Sequence, residues 1–219
     1  MQSPNRLYSG LLARSYDVLW RHFTERSAEH VLAIIGTPWP STEQRRPRIL
    51  DAGCGTGYLL DQLQRRFPDA MAVGLDESGA MLSQAARRLG PNAALVTGVV
   101  CARPPNLPPF RTSSFDLVVA SNLLHYFPDP AGSIAALAAL LRPHGRMVVE
   151  DYAHRPSPFP WRTFERLIRL VDRGHVRAHT LEEAARMCVA AGLDVEKTDA
   201  FAIDRLWHGW AIRACLAAT

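Results

Sequence analysis

Lysine and cysteine are scarce in this chain of 219 residues. Lys197 is the only lysine, so arginine carries nearly all of the positive charge. The cysteines show no CxxC spacing, which argues against a disulfide framework and against a structural zinc site. They are Cys54, Cys101, Cys188 and Cys215. We therefore expect reduced, mostly buried thiols and no bound metal.

Long apolar runs are lacking as well. The longest stretches, such as residues 134–141, are far shorter than the roughly 20 apolar residues that a membrane-spanning helix needs. The N-terminal residues before Arg14 and Asp17 contain no signal-peptide core. These absences predict a cytoplasmic protein with no membrane partner.

Blocks of a single charge sign are missing too. The formal net charge is +4, and the arginine pairs at 45–46, 65–66 and 87–88 are spread along the chain. This distribution is typical of solvated helix faces. Because no nucleic-acid-binding motif accompanies the arginines, we expect no nucleic-acid partner.

The composition itself is that of a globular protein. Hydrophobic residues make up 47% of the chain and charged residues 21%, both ordinary values. The length suits one domain with a core of its own. We expect a single domain over residues 1–219, with an N-terminal helical cap at 1–40 and a core at 46–219, as a monomer or homodimer.

Strand-like and helical segments alternate through the core. Five apolar strand candidates lie at 48–52, 71–75, 94–97, 115–120 and 146–150, and helical spacing marks 6–35, 58–67, 79–89, 131–141, a segment ending at Val171, and 181–191. Such alternation predicts an α/β fold with a mostly parallel sheet covered on both faces. The last two strand candidates, 193–198 and 207–215, are joined by too few residues for a crossover helix, which predicts an antiparallel hairpin.

A glycine-rich loop follows the first predicted strand. Residues 51–57 read Asp-Ala-Gly-Cys-Gly-Thr-Gly and open the next helix. Glycines there allow a ligand to approach the backbone and the free N–H groups of the helix. The alternative is a tight strand-helix turn without a ligand. Asp76 favours the ligand, since a carboxylate ending the second strand about 20 residues on can bind both hydroxyls of a ribose.

These segments resemble the class I S-adenosylmethionine-dependent methyltransferases. DAGCGTGYLL at 51–60 is similar to motif I of that family, and VGLDES at 73–78 to motif II. The resemblance continues through 114–130, 140–146 and 190–193, and so covers nearly the whole chain. Nicotinamide-binding folds carry GxGxxG instead, and Tyr58 stands at the third glycine of that pattern. The resemblance implies a Rossmann-like, doubly wound, seven-stranded sheet with a C-terminal antiparallel hairpin strand and an N-terminal helical cap.

The resemblance also implies a cofactor site. The cofactor would be S-adenosylmethionine, with S-adenosylhomocysteine as product and a small molecule as methyl acceptor. Asp76 would contact the ribose, and Met81 and Val100 the adenine, while Tyr8 and Tyr16 would either cover the cofactor or pack in the core. The full set of implied cofactor-binding residues is Tyr8, Tyr16, Asp51, Gly53, Cys54, Gly55, Gly57, Asp76, Glu77, Met81, Val99, Val100, Asn122 and Leu123.

One departure from the family keeps an alternative open. Many relatives carry an aspartate soon after the third strand that binds the adenine amino group, whereas residues 97–101 read Thr-Gly-Val-Val-Cys. Adenine would then be held by backbone groups and apolar packing. The alternative is a protein that keeps the fold without methylating, such as a cyclase or a binding module.

Four polar residues are candidates for contact with the acceptor. Transfer by in-line displacement mainly requires alignment, but a weakly acidic hydroxyl or carbon also needs a general base. His125 follows the fourth strand at the edge where the methyl group is expected, although it could instead be a loop histidine bonded to a backbone carbonyl. Asp151, Tyr152 and His154 are expected to follow the fifth strand at the same edge. His175 and His179 lack a further ligand at a convincing spacing, so no metal site is predicted.

Overall fold

The sheet of this protein has seven strands. The computed structural model describes residues 16–36, 46–100, 110–154, 161–171, 174–205 and 207–217. The strands are β1 (Arg48–Ala52), β2 (Met71–Asp76), β3 (Ala93–Thr97), β4 (Phe115–Ser121), β5 (Leu141–His154), β6 (Leu193–Ala202) and β7 (Trp207–Leu216). Their order in the sheet is β3-β2-β1-β4-β5-β7-β6, which confirms the predicted Rossmann-like architecture.

Besides a short helical segment at 16–19, the described residues form six helices and two short 3-10 turns. The helices are α1 (Arg21–Ile35), α2 (Tyr58–Arg66), α3 (Gly79–Leu89), α4 (Pro130–Ala138), α5 (Trp161–Val171) and α6 (Leu181–Ala190). The 3-10 turns are Gly90–Asn92 and Leu124–Tyr126. None of the helices in the described part of the chain is long and apolar enough to cross a bilayer.

Strand β1 lies at the centre of the sheet and explains where a site can form. It pairs in parallel with β2 on one side and with β4 on the other. Nearly every residue of β1 and β4 is buried, as expected for strands covered on both faces. The chain order reverses beside β1, so the carboxyl ends of β1 and β4 border the crevice expected at such a switch point.

The C-terminal hairpin is antiparallel, as predicted. Strand β7 pairs antiparallel with both β5 and β6. Two hydrophobic clusters cover the two faces of the sheet. One contains apolar side chains of α4 and α6, and the other contains those of α1, α2 and α3.

Strand β5 is longer than expected. The strand predicted at 146–150 is wrong at both ends, because β5 spans Leu141–His154. The preceding helix, predicted to reach residue 141, ends at Ala138. Pairing with β7 extends from Arg146 to His154, which supplies hydrogen bonds that the local sequence does not reveal. Asp151 and Tyr152 consequently lie within β5 and do not follow it.

Two further boundaries differ from expectation. Strand β6 reaches Ala202, beyond the predicted end at residue 198, because its ladder with β7 continues to the Ala202–His208 pair. The first helix, expected over 6–35, bends at Trp20 between a helical segment at 16–19 and α1. Residues 6–15 of that prediction lie outside the described residues.

Candidate functional site

The glycine loop between β1 and α2 is held against β2. The backbone N–H groups of Gly53 and Cys54 both donate to the carbonyl of Leu75, at 2.7 and 2.9 Å. Gly53, Gly55 and Gly57 all have positive φ, between 52° and 76°. The loop therefore curls away from the sheet and leaves space above the end of β1.

Gly55 and Gly57 serve different purposes in that loop. A Cβ on Gly55 would meet no atom within 4 Å, so this side of Gly55 is open. A Cβ on Gly57 would lie 3.0 Å from Ala85 and from Leu89 of α3. Gly57 thus allows close packing of the loop on α3, whereas Gly55 faces space that a ligand can fill.

An open crevice lies at the carboxyl ends of β1 and β4, beside the first turns of α1. Six of its lining residues are among those predicted to bind the cofactor: Tyr16, Asp51, Gly53, Cys54, Gly55 and Asn122. Six others were missed, namely Thr24, Ala28, Thr56, Tyr58, Leu59 and Ser121. Thr24 and Ala28 are four residues apart on α1, and that spacing was the one available signal for them.

Asp51 is the most unusual group in the crevice. Its side chain is only 2% exposed, and its Oδ2 atom has no hydrogen-bond partner within the described structure. Burial, together with the nearby charge of Asp76, raises the pKa of Asp51 to about 7. An unsatisfied buried carboxyl oxygen is costly unless a ligand supplies a donor or a positive charge.

Asp76 holds the glycine loop from the end of β2. One carboxyl oxygen accepts a hydrogen bond from the backbone N–H of Gly55 at 2.9 Å, and the other accepts from that of Ser78 at 2.8 Å. Burial raises the pKa of Asp76, and these two N–H donors oppose the increase. Asp76 therefore supports the loop directly, a role additional to the ribose contact predicted for it.

Four residues predicted for the nucleoside end follow β2 and β3. Met81 and Val100 are buried, and Val99 is exposed. Glu77 is partly buried, and burial followed by the charge of Asp76 raises its pKa. Their contact with a cofactor stays a prediction.

Leu123 and Tyr8 complete the predicted cofactor set. The Leu123 side chain packs against Gly53, where a Cβ would lie 2.7 Å from its Cδ1 atom. It therefore fills the space beside the loop. Tyr8 lies outside the described residues.

A buried polar cluster forms beneath the crevice. Glu150 of β5 is fully buried, and its Oε2 atom accepts a hydrogen bond from the Ser121 hydroxyl at 2.5 Å. Burial, and then the charge of Asp151, raises the pKa of Glu150 to about 8. The Asn122 side chain donates to the Ser27 hydroxyl at 2.9 Å and so ties this floor to α1. Glu150 was missed because it reads as an ordinary strand residue.

Asp17 fastens the N-terminal segment to the glycine loop. Its carboxylate accepts hydrogen bonds from the Thr56 hydroxyl and from Arg88 Nη2 of α3, each at 2.6 Å. Arg88 also donates to the Thr56 carbonyl at 2.7 Å. This network holds Tyr16, the residue before Asp17, at the crevice wall.

The structure brings the predicted His125, Asp151 and Tyr152 together. The Nδ1 atom of His125 lies 2.8 and 3.0 Å from the two carboxyl oxygens of Asp151. Asp151 also accepts from the backbone N–H of His125 at 2.9 Å and from that of Tyr152 at 2.8 Å. His154 ends β5, but its side chain lies outside the described residues.

Comparison with known proteins places this site in a family. Residues 50–149 match the model of a methyltransferase domain. The chain is 31% identical over 162 residues to a ubiquinone biosynthesis O-methyltransferase of Neisseria meningitidis, a match that covers 70% of this chain and 66% of that protein. The chain belongs to the class I S-adenosylmethionine-dependent methyltransferases.

Other members of this methyltransferase family share shorter stretches or the fold alone. A trans-aconitate 2-methyltransferase of Deinococcus radiodurans is 35% identical over 108 residues, which cover 49% of this chain and 39% of that protein. The chain thus spans between about two fifths and two thirds of the length of these curated relatives.

Two solved methyltransferase structures have the same fold. One is a phosphoethanolamine N-methyltransferase of Haemonchus contortus, with a TM-score of 0.75 at 14% identity. The match covers 100% of this chain and 61% of that protein. The other is a geranyl diphosphate C-methyltransferase from Streptomyces coelicolor, with a TM-score of 0.67 at 16% identity. The match covers 87% of this chain and 77% of that protein. At these identities the likeness concerns the fold alone.

Proposed function

We propose that this protein transfers a methyl group from S-adenosylmethionine to a small-molecule acceptor. The observation that carries the proposal is the crevice at the end of β1, which is lined both by Asp51, with its unpartnered, buried oxygen, and by Gly55, which leaves open space where a Cβ would be. A ligand that brings positive charge and can approach the backbone closely suits this combination.

The residues present fit S-adenosylmethionine. Asp51 and the glycine loop would hold its positively charged amino-acid portion, and Asp76 its ribose hydroxyls. The buried side chains of Met81 and Val100 offer apolar packing for adenine in place of the absent aspartate. When bound, the cofactor supplies a methyl group activated by a sulfonium. The family match and the relatives' names support the same cofactor.

The contribution of the chain is alignment and enclosure. Tyr16, Thr24 and Ala28 line one side of the crevice, and Asn122 lies at its floor, so an acceptor is confined between α1 and the end of β4. Holding two reactants in line removes much of the entropic cost of their encounter. We expect the acceptor to reach the cofactor from the side of His125, Asp151 and Tyr152.

A small acceptor agrees with the names of the relatives. The relatives named above are a ubiquinone biosynthesis O-methyltransferase and a trans-aconitate 2-methyltransferase. We propose a monomer or homodimer that acts in the cytoplasm without a nucleic-acid partner.

Methyl transfer is tested with cofactor labelled in its methyl group. The full chain is incubated with labelled S-adenosylmethionine and a panel of phenols, carboxylic acids and amines, and products are separated by liquid chromatography. We expect labelled product and S-adenosylhomocysteine in equal amounts with at least one acceptor. Conversion of an acceptor without release of S-adenosylhomocysteine would favour the non-methylating alternative.

A further inference from the structure

Tyr152 is linked to a second histidine that the sequence did not connect with it. The Tyr152 hydroxyl lies 2.9 Å from Nδ1 of His175. On the far side of that ring, Nε2 of His175 lies 3.5 Å from Oε1 of Glu165 on α5. Phenol, imidazole and carboxylate thus follow one another through a hydrogen bond and an ion-pair contact, and we name this series the Tyr152 relay.

The segment that carries His175 is fixed in place by its neighbours. The backbone N–H of Val176 donates to the carbonyl of His125 at 2.8 Å, and that of Ala178 donates to Oε1 of Glu165 at 3.0 Å. The indole N–H of Trp210 donates to the carbonyl of His179 at 2.8 Å. These bonds hold the imidazole of His175 between β5 and α5.

Aromatic rings pack near the ring of Tyr152. The centroid of the Tyr152 ring lies 5.0 Å from that of Trp207, which is 5.9 Å from Trp161 and 6.4 Å from Phe23. Phe23 belongs to α1, the helix that also carries the crevice residues Thr24 and Ala28. Together these rings offer flat apolar surfaces, which suit an aromatic ligand.

Within this group, Tyr152 is more exposed than His125. His125 is only 3% exposed, and its ring nitrogen Nδ1 and its backbone N–H both bind Asp151. Its carbonyl accepts from Val176, so the whole residue is held in the interior. Tyr152 is half-buried, and its ring packs at 4.5 Å from that of His125. The relay thus runs from half-buried Tyr152 to buried His175.

We infer that the Tyr152 relay removes the proton from an aromatic hydroxyl, so that the methyl acceptor is a phenol-type compound and its oxygen the accepting atom. The inference rests on the proposed methyl transfer. The acceptor O–H bond breaks and its proton passes to the Tyr152 oxygen while the phenolic proton of Tyr152 passes to Nδ1 of His175. The acceptor becomes a phenolate, and the imidazolium formed on His175 is stabilised by Glu165.

The described titratable groups around the relay include residues of the 3-10 turn, β5, α5 and the segment that carries His175. His125 and Tyr126 lie in the 3-10 turn after β4, and Asp151 precedes Tyr152 on β5. Glu165 is on α5, and Arg177 follows His175 on its segment, where it pairs with Glu183 at 2.6 Å. The pair formed by His125 and Asp151 is another group that can change the pH at which a bound ligand ionises. The test must therefore separate this pair from the relay.

The test uses 4-nitrophenol and 4-nitrocatechol, whose phenolate forms absorb visible light. Each probe is titrated with pH in the presence of the full-length protein saturated with S-adenosylhomocysteine. We expect the bound probe to ionise at a pH about one unit below that of the free probe, a tenfold change in its ionisation equilibrium. In Tyr152→Phe and His175→Gln, the bound probe should ionise at the same pH as the free probe. In Tyr126→Phe, a matched tyrosine control, it should still ionise at the lower pH.

Three outcomes would overturn the relay. The first is that neither probe binds at millimolar concentration. The second is that the probe bound to the wild type ionises at the same pH as the free probe. The third is that the bound probe ionises at a lower pH in Tyr152→Phe as well, but not in His125→Asn. Calorimetric binding of S-adenosylhomocysteine is measured first for every variant and shows that each is folded. Failure of that binding in the wild type would count against the proposed function and not against the relay alone.

Discussion

Single carboxyl groups determine how this site responds to charge. Asp51 and Glu150 are both buried at the carboxyl edge of the sheet, and burial raises the pKa of each, to about 7 and about 8. Glu150 is therefore protonated near neutral pH, whereas Asp51 is close to the midpoint of its titration. A positively charged ligand beside Asp51 must shift that balance toward the carboxylate.

Binding of S-adenosylmethionine should therefore depend on pH through Asp51. Below pH 7 the carboxyl is mostly protonated and must release its proton to face the positive ligand, so affinity should rise from pH 6 to pH 8 and then level off. The rise should approach tenfold per pH unit below the pKa, the limit for one released proton. Calorimetric titrations at several pH values measure it.

Two substitutions make the pH experiment specific. Asp51→Asn should bind more weakly at pH 8 and with little pH dependence. Asp61→Asn removes a carboxylate on α2 that pairs with Arg65 outside the crevice, and it should keep the wild-type profile. A steep rise that persists in Asp51→Asn would show that another group releases the proton.

At the scale of elements, β6 and β7 leave no room for a larger side chain at Gly209, where they pack against α1. A Cβ on Gly209 of β7 would lie 2.3 Å from Cζ of Phe201, and the Phe201 ring is stacked on His30 of α1 at 3.6 Å. Gly209→Ala should therefore lower the free energy of unfolding by about 1–3 kcal/mol, the usual cost of overpacking. Urea denaturation measures this loss.

Gly79→Ala is the matched control for that substitution. A Cβ on Gly79, the first residue of α3, would meet no atom within 4 Å. Its free energy of unfolding should stay within about 0.5 kcal/mol of the wild type or increase slightly. Equal destabilisation by both variants would mean that the contact with Phe201 carries no strain.

The order and type of elements could be predicted from the sequence, and some boundaries could not. Local patterning identifies β1, β2 and the closing hairpin because apolar spacing and chain length decide them. The extent of β5 depends on its partner β7, which comes more than fifty residues later, so no local pattern marks it. Asp151 and Tyr152 were consequently expected after a strand that in fact contains them.

The candidate site, too, could be predicted from the sequence only in part. The glycine loop and Asp76 are recognisable because their spacing along the chain reflects one turn and two adjacent strand ends. Glu150, Thr24 and His175 reach the site only through tertiary packing. His175 in particular lies on an irregular segment, and its contact with Tyr152 depends on where α5 and β5 place that segment.

At the scale of the whole molecule, the sheet order creates the site. Strands β1 and β4 are adjacent only because the chain returns to the centre of the sheet after β3. The helices covering the two faces of the sheet bury separate apolar clusters, and α1 places its first turns beside the crevice. The crevice thus follows from topology, and its chemistry from the few polar residues at the strand ends.

The most direct test of the account is a calorimetric titration with S-adenosylhomocysteine of the wild type and two glycine variants. Gly55→Val should fill the crevice and abolish binding. Gly192→Val introduces a side chain at a similar positive φ, 79° against 52°, with no atom within 4 Å of its Cβ and outside the crevice, so it should bind as the wild type does. Binding by Gly55→Val with wild-type affinity, or no binding by the wild type, would contradict the account.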